Sequence, residues 1–192
     1  MKVKMQLLSD VIFGSGISVP GGEDISVLCD KDGFPYYKGG TFKGIFREEM
    51  SRVLEWQGTD KKDIEATVAR LLGEAGDSDA VNVSKLVFSD FTLSSNVKKE
   101  VLKEVGDAAG HAELITDLFT HLRTLTAIDA DGVAQEGALR SLRCVNKGLY
   151  FYSTIVCAAE DEELIKEVLS LTKWIGSMRN RGFGKVKITV EE

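Results

Sequence analysis

Apolar and polar residues alternate from Val3 to Phe13, which predicts a first strand ended by Gly14-Ser15-Gly16. A glycine-rich loop then delivers Glu23-Asp24 into a short apolar strand, Ile25 to Cys29, which Asp32-Gly33 turns back as a hairpin. Phe46, Met50, Val53 and Leu54 share one face of a helix that Thr41 can cap. Ile64, Val68, Leu71 and Leu72 do the same for a second helix, Lys61 to Leu72. Lys85 to Leu93 is apolar enough for a central strand. Two helical stretches follow, Val97 to Val105 and Ala112 to Leu125, and then a polar, Gly/Asp-rich run over 127–140 that reads as an excursion from the sheet. Gly148 to Ala158 returns as a strand. The acidic cluster Glu160-Asp161-Glu162-Glu163 opens a helix, where negative charge suits the dipole, and its apolar residues run from Leu164 to Trp174 and Ile175. Lys185 to Val190 alternates as the last strand. The order strand, helices, strand, excursion, strand, helix, strand predicts an α+β fold: a ferredoxin-like antiparallel sheet with helices on one face.

At 192 residues, 43% of them hydrophobic and 28% charged, the chain has the makings of one domain over residues 1–192. A net charge of −6 argues against a generally basic nucleic-acid binder. The distribution changes that picture. After Glu167 no acid appears until Glu191, while Lys173, Arg179, Arg181, Lys185 and Lys187 fall between, so one face can be basic. Cys29, Cys144 and Cys157 form no CxxC pair, which points to free thiols in a reducing, cytoplasmic setting. With only His111 and His121 beside them, they are too scattered for a zinc site. The opening apolar run is broken by Ser9-Asp10, and neither a signal peptide nor a membrane span is expected.

Two stretches have the chemistry of a phosphate site. Trp174 to Val190 places Gly176, Gly182 and Gly184 with Arg179 and Arg181 between a helix and a strand. Glycine lets a ligand approach the main chain closely, and arginine offers planar donors that match phosphate oxygens. Gly39-Gly40-Thr41 stands before a helix, with Lys43 in its first turn. The plainer alternatives are a turn with solvated arginines in the first case and a loop with a cap in the second. Glu23-Asp24, likewise, reads either as a solvated strand end or as functional carboxylates.

Four stretches in order carry a family resemblance. Phe34-Pro35-Tyr36-Tyr37-Lys38-Gly39-Gly40-Thr41-Phe42-Lys43-Gly44 resembles the Pro-x-x-Pro-Gly-Ser-Ser-Leu-Lys-Gly signature of the RAMP superfamily of CRISPR-associated proteins. Leu86 to Asp90 is similar to their next strand, Ile128 to Leu139 with Val145 to Phe151 to their protruding thumb and its return, and Gly176 to Lys187 to their glycine-rich loop. Lys38 stands for the second proline, Gly40-Thr41 for Ser-Ser, Phe42 for Leu, and Ser177-Met178 where a further glycine is common.

Within that superfamily the chain resembles the backbone subunit of type III effector complexes, which polymerises along CRISPR RNA. The resemblance implies a thumb inserted at about 94–143, with copies of the chain and other CRISPR effector subunits as partners, guide and target RNA as ligands, and no membrane. It implies Asp24 as the residue that cleaves target RNA with a divalent metal such as Mg²⁺, Glu23 being the fallback one position away. Lys43, Arg47, Arg179, Arg181 and Lys185 are the implied RNA-binding residues. Arg140, Arg143 and Lys147 read as a solvated thumb base, Phe119, Leu122 and Leu125 as packing for a thumb helix, and Tyr36 and Tyr37 as packing before base stacking. Two other readings stay open: a structural RNA-binding subunit that does not cut, and an unrelated ferredoxin-like protein that binds a small phosphorylated ligand.

Overall fold

Strand β1 (Lys2–Leu7) lies inside a four-stranded sheet, hydrogen-bonded to β5 (Tyr150–Val156) on one side and β6 (Val186–Glu191) on the other. This computed structural model describes residues 1–16, 23–73, 86–106 and 109–191. β2 (Val87–Phe88) completes the sheet at its edge, in the order β2-β5-β1-β6, and each neighbouring pair is antiparallel. The period of two sends Val3, Met5 and Leu7 inward with Phe151, Ile155, Val186 and Ile188, all of them buried. Helices α1 (Gly39–Trp56), α2 (Lys61–Leu72) and α5 (Glu162–Leu171) lay Phe42, Phe46, Met50, Leu71, Ile165 and Val168 on that face, in the same apolar core. The crossovers β1-α1-α2-β2 and β5-α5-β6 make this the expected ferredoxin-like arrangement.

Between β2 and β5 the chain leaves the sheet through α3 (Ser95–Val105), α4 (His111–Phe119), β3 (Thr120–Leu125) and β4 (Arg140–Val145). β3 and β4 form a separate hairpin, paired from Thr120 with Val145 to Leu125 with Arg140. The stretch 120–125 is therefore not the end of a helix, as its apolar spacing suggested. Leu122 is 54% exposed there, and packing falls instead to the buried Phe119 at the end of α4.

Other local expectations give way to longer-range contacts. β1 stops at Leu7 because the chain turns, with the Leu8 and Ser9 N–H groups both donating to the Lys185 carbonyl. Val11, Ile12 and Phe13 are then buried consecutively, which a one-sided strand cannot do. β2 is a two-residue edge strand, not a central one, and Lys85 of the predicted strand lies outside the described residues. The chain bends after Phe88 so that Asp90 Oδ1 accepts the Gly39 N–H at 2.8 Å. That bond supplies the start of α1, which begins at Gly39; Thr41 lies inside the helix and is not its cap. Gly39 is also needed for contact, since a Cβ there would sit 2.4 Å from the Phe88 carbonyl oxygen. The hairpin predicted around Asp32-Gly33 reduces to a single bridge, Cys29 with Pro35, over a turn in which Asp30 Oδ1 accepts the Asp32 and Phe34 N–H groups. Trp174 and Ile175 lie beyond α5, where Trp174 bridges to Lys185.

Candidate functional site

A second small core sits beside the main one: Ile12, Leu142, Cys144 and Phe183, with Ile25, Leu125 and Met178 packed against it. Apart from Ile12, which follows β1, its members come from three stretches singled out in the sequence. Ile25 follows Asp24, Leu125 and the Leu142/Cys144 pair belong to the β3–β4 stem, and Met178 and Phe183 flank the arginines of the glycine-rich loop. Burial of these apolar groups gathers the polar residues beside them onto one end of the molecule. Burial also pushes the Cys144 thiol up to about 11, so it packs as a small apolar group.

Asp24 is fixed to the outer side of β4. Its N–H donates to the Ser141 carbonyl at 2.8 Å, and its Oδ2 accepts the Ser141 N–H at 2.7 Å. Ile25 then bridges Leu142 in parallel, and its carbonyl takes the Arg143 N–H at 3.0 Å. The segment is thus a short extra strand along the hairpin stem, with the Asp24 residue exposed. Glu23 is turned the other way, 2.5 Å from Arg143 Nε.

Arg143 is not the solvated residue its sequence context suggests. Its side chain is 17% exposed and also reaches Asp117 at 2.6 Å and Thr120 Oγ1 at 2.9 Å. One guanidinium therefore joins the Asp24 segment, α4 and the hairpin. The neighbouring cleft of about 550 Å³ is lined by Glu23, Asp30, Glu113 and Asp117 with Arg143, a sign pattern unsuited to phosphate.

The glycine-rich loop is closed by main-chain contacts at its base. Ile175 N–H donates to the Gly184 carbonyl at 2.9 Å, and Ser177 N–H to the Ile12 carbonyl at 3.1 Å. At Gly184, with φ +82°, a Cβ would fall 1.9 Å from the Ile175 carbonyl oxygen, so no other residue fits. Between these anchors Arg179–Arg181 form a single 3₁₀ turn. Arg179, Arg181 and Lys185 are exposed, and Arg179 makes one loose pair, 3.9 Å from Glu48 of α1. Across a cleft of about 480 Å³, Arg181 and Met178 face Arg140, Leu125 and Thr126 of the hairpin. Arg123 adds its guanidinium 4.8 Å over the Phe183 ring.

Lys43 and Arg47 stand apart from this group. Lys43 lies in the second turn of α1, not the first as its sequence context suggested, because the helix already begins at Gly39; it is half-buried, and burial with the nearby Arg47 charge lowers its pKa below the usual lysine value. Arg47 donates from both terminal nitrogens to the Leu72 and Gly73 carbonyls, at 2.9 and 2.8 Å, and so caps the C-terminus of α2. Tyr37 packs as expected: it is buried and stacked on Phe13 at 4.8 Å between ring centroids.

Sequence reasoning missed the Asp90 contact to α1, the Arg143 links and the hairpin stem. The alternation of Leu142 and Cys144 with Arg and Ser is a period-two signal that marks β4. Among the described residues, no three His, Cys, Asp or Glu side chains converge to hold a metal, and no helix is long and apolar enough to cross a membrane.

A family model, the RAMP superfamily, matches residues 4–187. The chain belongs to that superfamily. Among solved structures it resembles a chain of a Type III-B Cmr-beta complex bound to cognate target RNA, with a TM-score of 0.69 and 14% identity over 98% of this chain and 95% of that one. A chain from the apo state of Type III-B Cmr-beta gives 0.68 and 14% over 97% and 95%. At that identity the likeness is one of fold. No curated protein sequence gives a significant match.

Proposed function

We propose that the chain is a CRISPR RNA-binding backbone subunit of a type III RNA-guided effector complex, cleaving target RNA beside its hairpin through Asp24. The observation that carries this reading is the small core of Ile12, Leu142, Cys144 and Phe183. It brings Asp24, the base of the hairpin and the exposed Arg179 and Arg181 to one end of the fold. The superfamily membership and the Cmr-beta fold likeness support it. The partners are then CRISPR RNA, target RNA, other effector subunits and further copies of the chain along the guide, in the cytoplasm.

In this reading Arg179, Arg181 and Lys185 bind phosphate and sugar, which sets register and leaves sequence to base pairing. Lys43 joins them from α1. Arg47 does so only by giving up its bonds to Leu72 and Gly73. The hairpin, as the thumb, displaces one target nucleotide next to Asp24. There the 2′-hydroxyl attacks the adjacent phosphorus in line: the 2′-O–P bond forms, the 5′-O–P bond breaks, the leaving 5′ oxygen takes a proton from water, and the products are a 2′,3′-cyclic phosphate and a 5′-hydroxyl. Asp24, oriented by the Ser141 N–H, accepts the hydroxyl proton, while nearby arginines offset charge on the phosphorane. Mg²⁺, where bound, supplies further charge stabilisation. Among the described residues the Asp24 carboxylate is what would hold it, with water and phosphate as its other oxygen donors, as is usual for this ion.

One observation favours the structural, non-cutting alternative. Asp24 Oδ2 already latches the segment to Ser141, which is reason enough for an acid there. Asp24→Ala in the reconstituted complex separates the two. The catalytic reading expects guide and target binding to be retained and cleavage to be lost; cleavage at the parent rate assigns Asp24 to the latch.

A further inference from the structure

The face of the main sheet turned away from the helices is uncovered in the described residues. Its outward positions are Lys2, Lys4 and Gln6 of β1, Tyr150, Tyr152, Thr154 and Val156 of β5 with Val87 of β2 across from Val156, and Lys187, Thr189 and Glu191 of β6. Two aromatic rings and three lysines against a single carboxylate is an unusual composition for a chain of net charge −6. The register sets the lysines among the rings: Lys4 lies directly across from Tyr152, while Gln6 stands between Tyr150 and Lys187. Lys4 Nζ sits 4.7 Å from the Tyr150 ring centroid and 6.0 Å from that of Tyr152. Among the described residues Lys2, Lys4 and Lys187 have no carboxylate within ion-pair distance. A hollow of about 210 Å³ opens between Lys4, Gln6, Tyr150, Lys187 and Thr189.

We infer that this face binds a short single-stranded RNA segment, with a base stacked on Tyr150 and phosphates held by Lys4 and Lys187. Charge complementarity selects the occupant. Unpaired lysines beside exposed rings offer phosphate neutralisation and a π surface together, which a second copy of an acidic chain does not need. Stacking is tolerant of sequence, because every base has a π face, and the cation held over Tyr150 moves to the incoming phosphate. The platform also meets the candidate site. Tyr150 and Lys187 are at the end of the sheet where Leu8 and Ser9 bond to Lys185, so RNA leaving the glycine-rich loop continues onto it. The inference adds a second contact surface to the RNA-binding reading.

The test uses the full chain and a labelled oligouridine titrated at several salt concentrations, with Tyr150→Ala, Tyr150→Phe, Lys4→Gln/Lys187→Gln and Arg179→Gln/Arg181→Gln. Tyr150→Ala is expected to weaken binding roughly five- to a hundredfold, the span that one stacked base contributes, with Tyr150→Phe near the parent. Lys4→Gln/Lys187→Gln is expected to lower the slope of log K against log salt by about 1.4, or about 0.7 for each phosphate contact. Parent affinity and slope in the sheet variants, with loss in the arginine variant, overturn the inference and leave the RNA-binding reading standing. No binding by the parent chain overturns both. A change in sedimentation of the sheet variants without a change in RNA affinity identifies the face as a contact between copies and also overturns it.

Discussion

Arg143→Met tests whether one guanidinium holds the candidate site together. In the parent structure Arg143 is 2.5 Å from Glu23, and the two side chains are 17% and 14% exposed. Its second partner, Asp117, is 69% exposed, so that pair contributes little. The cost of the substitution comes mainly from Glu23, left as a largely dehydrated carboxylate without its cation. Breaking a fully buried pair in this way costs about 3–5 kcal/mol, and residual solvent access lowers the expectation to about 2–3 kcal/mol. For a chain of this size each kcal/mol moves Tm by about 2–4 °C, so a fall of about 5–10 °C is expected. Adding Glu23→Gln removes the stranded charge and should recover part of the loss, with a coupling energy of about 1–2 kcal/mol in the double-mutant cycle. The assay is urea unfolding of the four proteins followed by circular dichroism. A loss under about 0.5 kcal/mol for Arg143→Met, or additivity within that margin, would refute the assignment of Arg143 as the joint between the Asp24 segment, α4 and the hairpin.

Two further outcomes follow from the packing of the glycine-rich loop. Gly184→Ala should cost more than about 3 kcal/mol or prevent folding, because left-handed strain of about 1–2 kcal/mol adds to a Cβ placed 1.9 Å from the Ile175 oxygen. Gly182→Ala, at φ +83° but in open space, should cost the strain alone, and equal losses would contradict the geometry. The Tyr37 hydroxyl is buried without a hydrogen bond of good geometry, and burial raises its pKa from 10.0 to about 12, opposed weakly by the Gly176 main chain and the Arg179 charge. The folded state thus holds this proton more tightly than the unfolded one. Stability from this source is intact below pH 10 and is lost between about pH 10 and 12, by an amount on the order of a few kcal/mol. Tyr37→Phe should be neutral or stabilising at pH 7 and should flatten that alkaline decline in urea melts; an unchanged decline would contradict it.

Much of the sheet and its helices was legible because their signals are local. Helix α2 runs from Lys61 to Leu72 as its apolar spacing predicts, and β5 and β6 fall within or one residue beyond their alternating stretches. What local pattern could not convey was pairing across the chain. Glu23 and Arg143 are 120 residues apart, Gly39 and Asp90 are 51 apart, and neither partner looks unusual in its own neighbourhood. Asp90 also explains why an apolar stretch yielded a strand of two residues: the chain turns away from the sheet to reach the start of α1. In the candidate site, composition revealed the cations of the glycine-rich loop, which are exposed as expected. It could not reveal that Arg47 caps α2, since an arginine donating to two carbonyls has the same sequence as one facing solvent.

The most direct test of the central claim is the affinity of the purified chain for a single-stranded RNA oligomer as a function of salt, before and after Arg179→Glu/Arg181→Glu. The account predicts that the parent binds with a steep salt dependence. The variant should bind far more weakly, with a slope lower by at least about 1.4. Equal affinity and equal slope for the two proteins, with both folded, would contradict it.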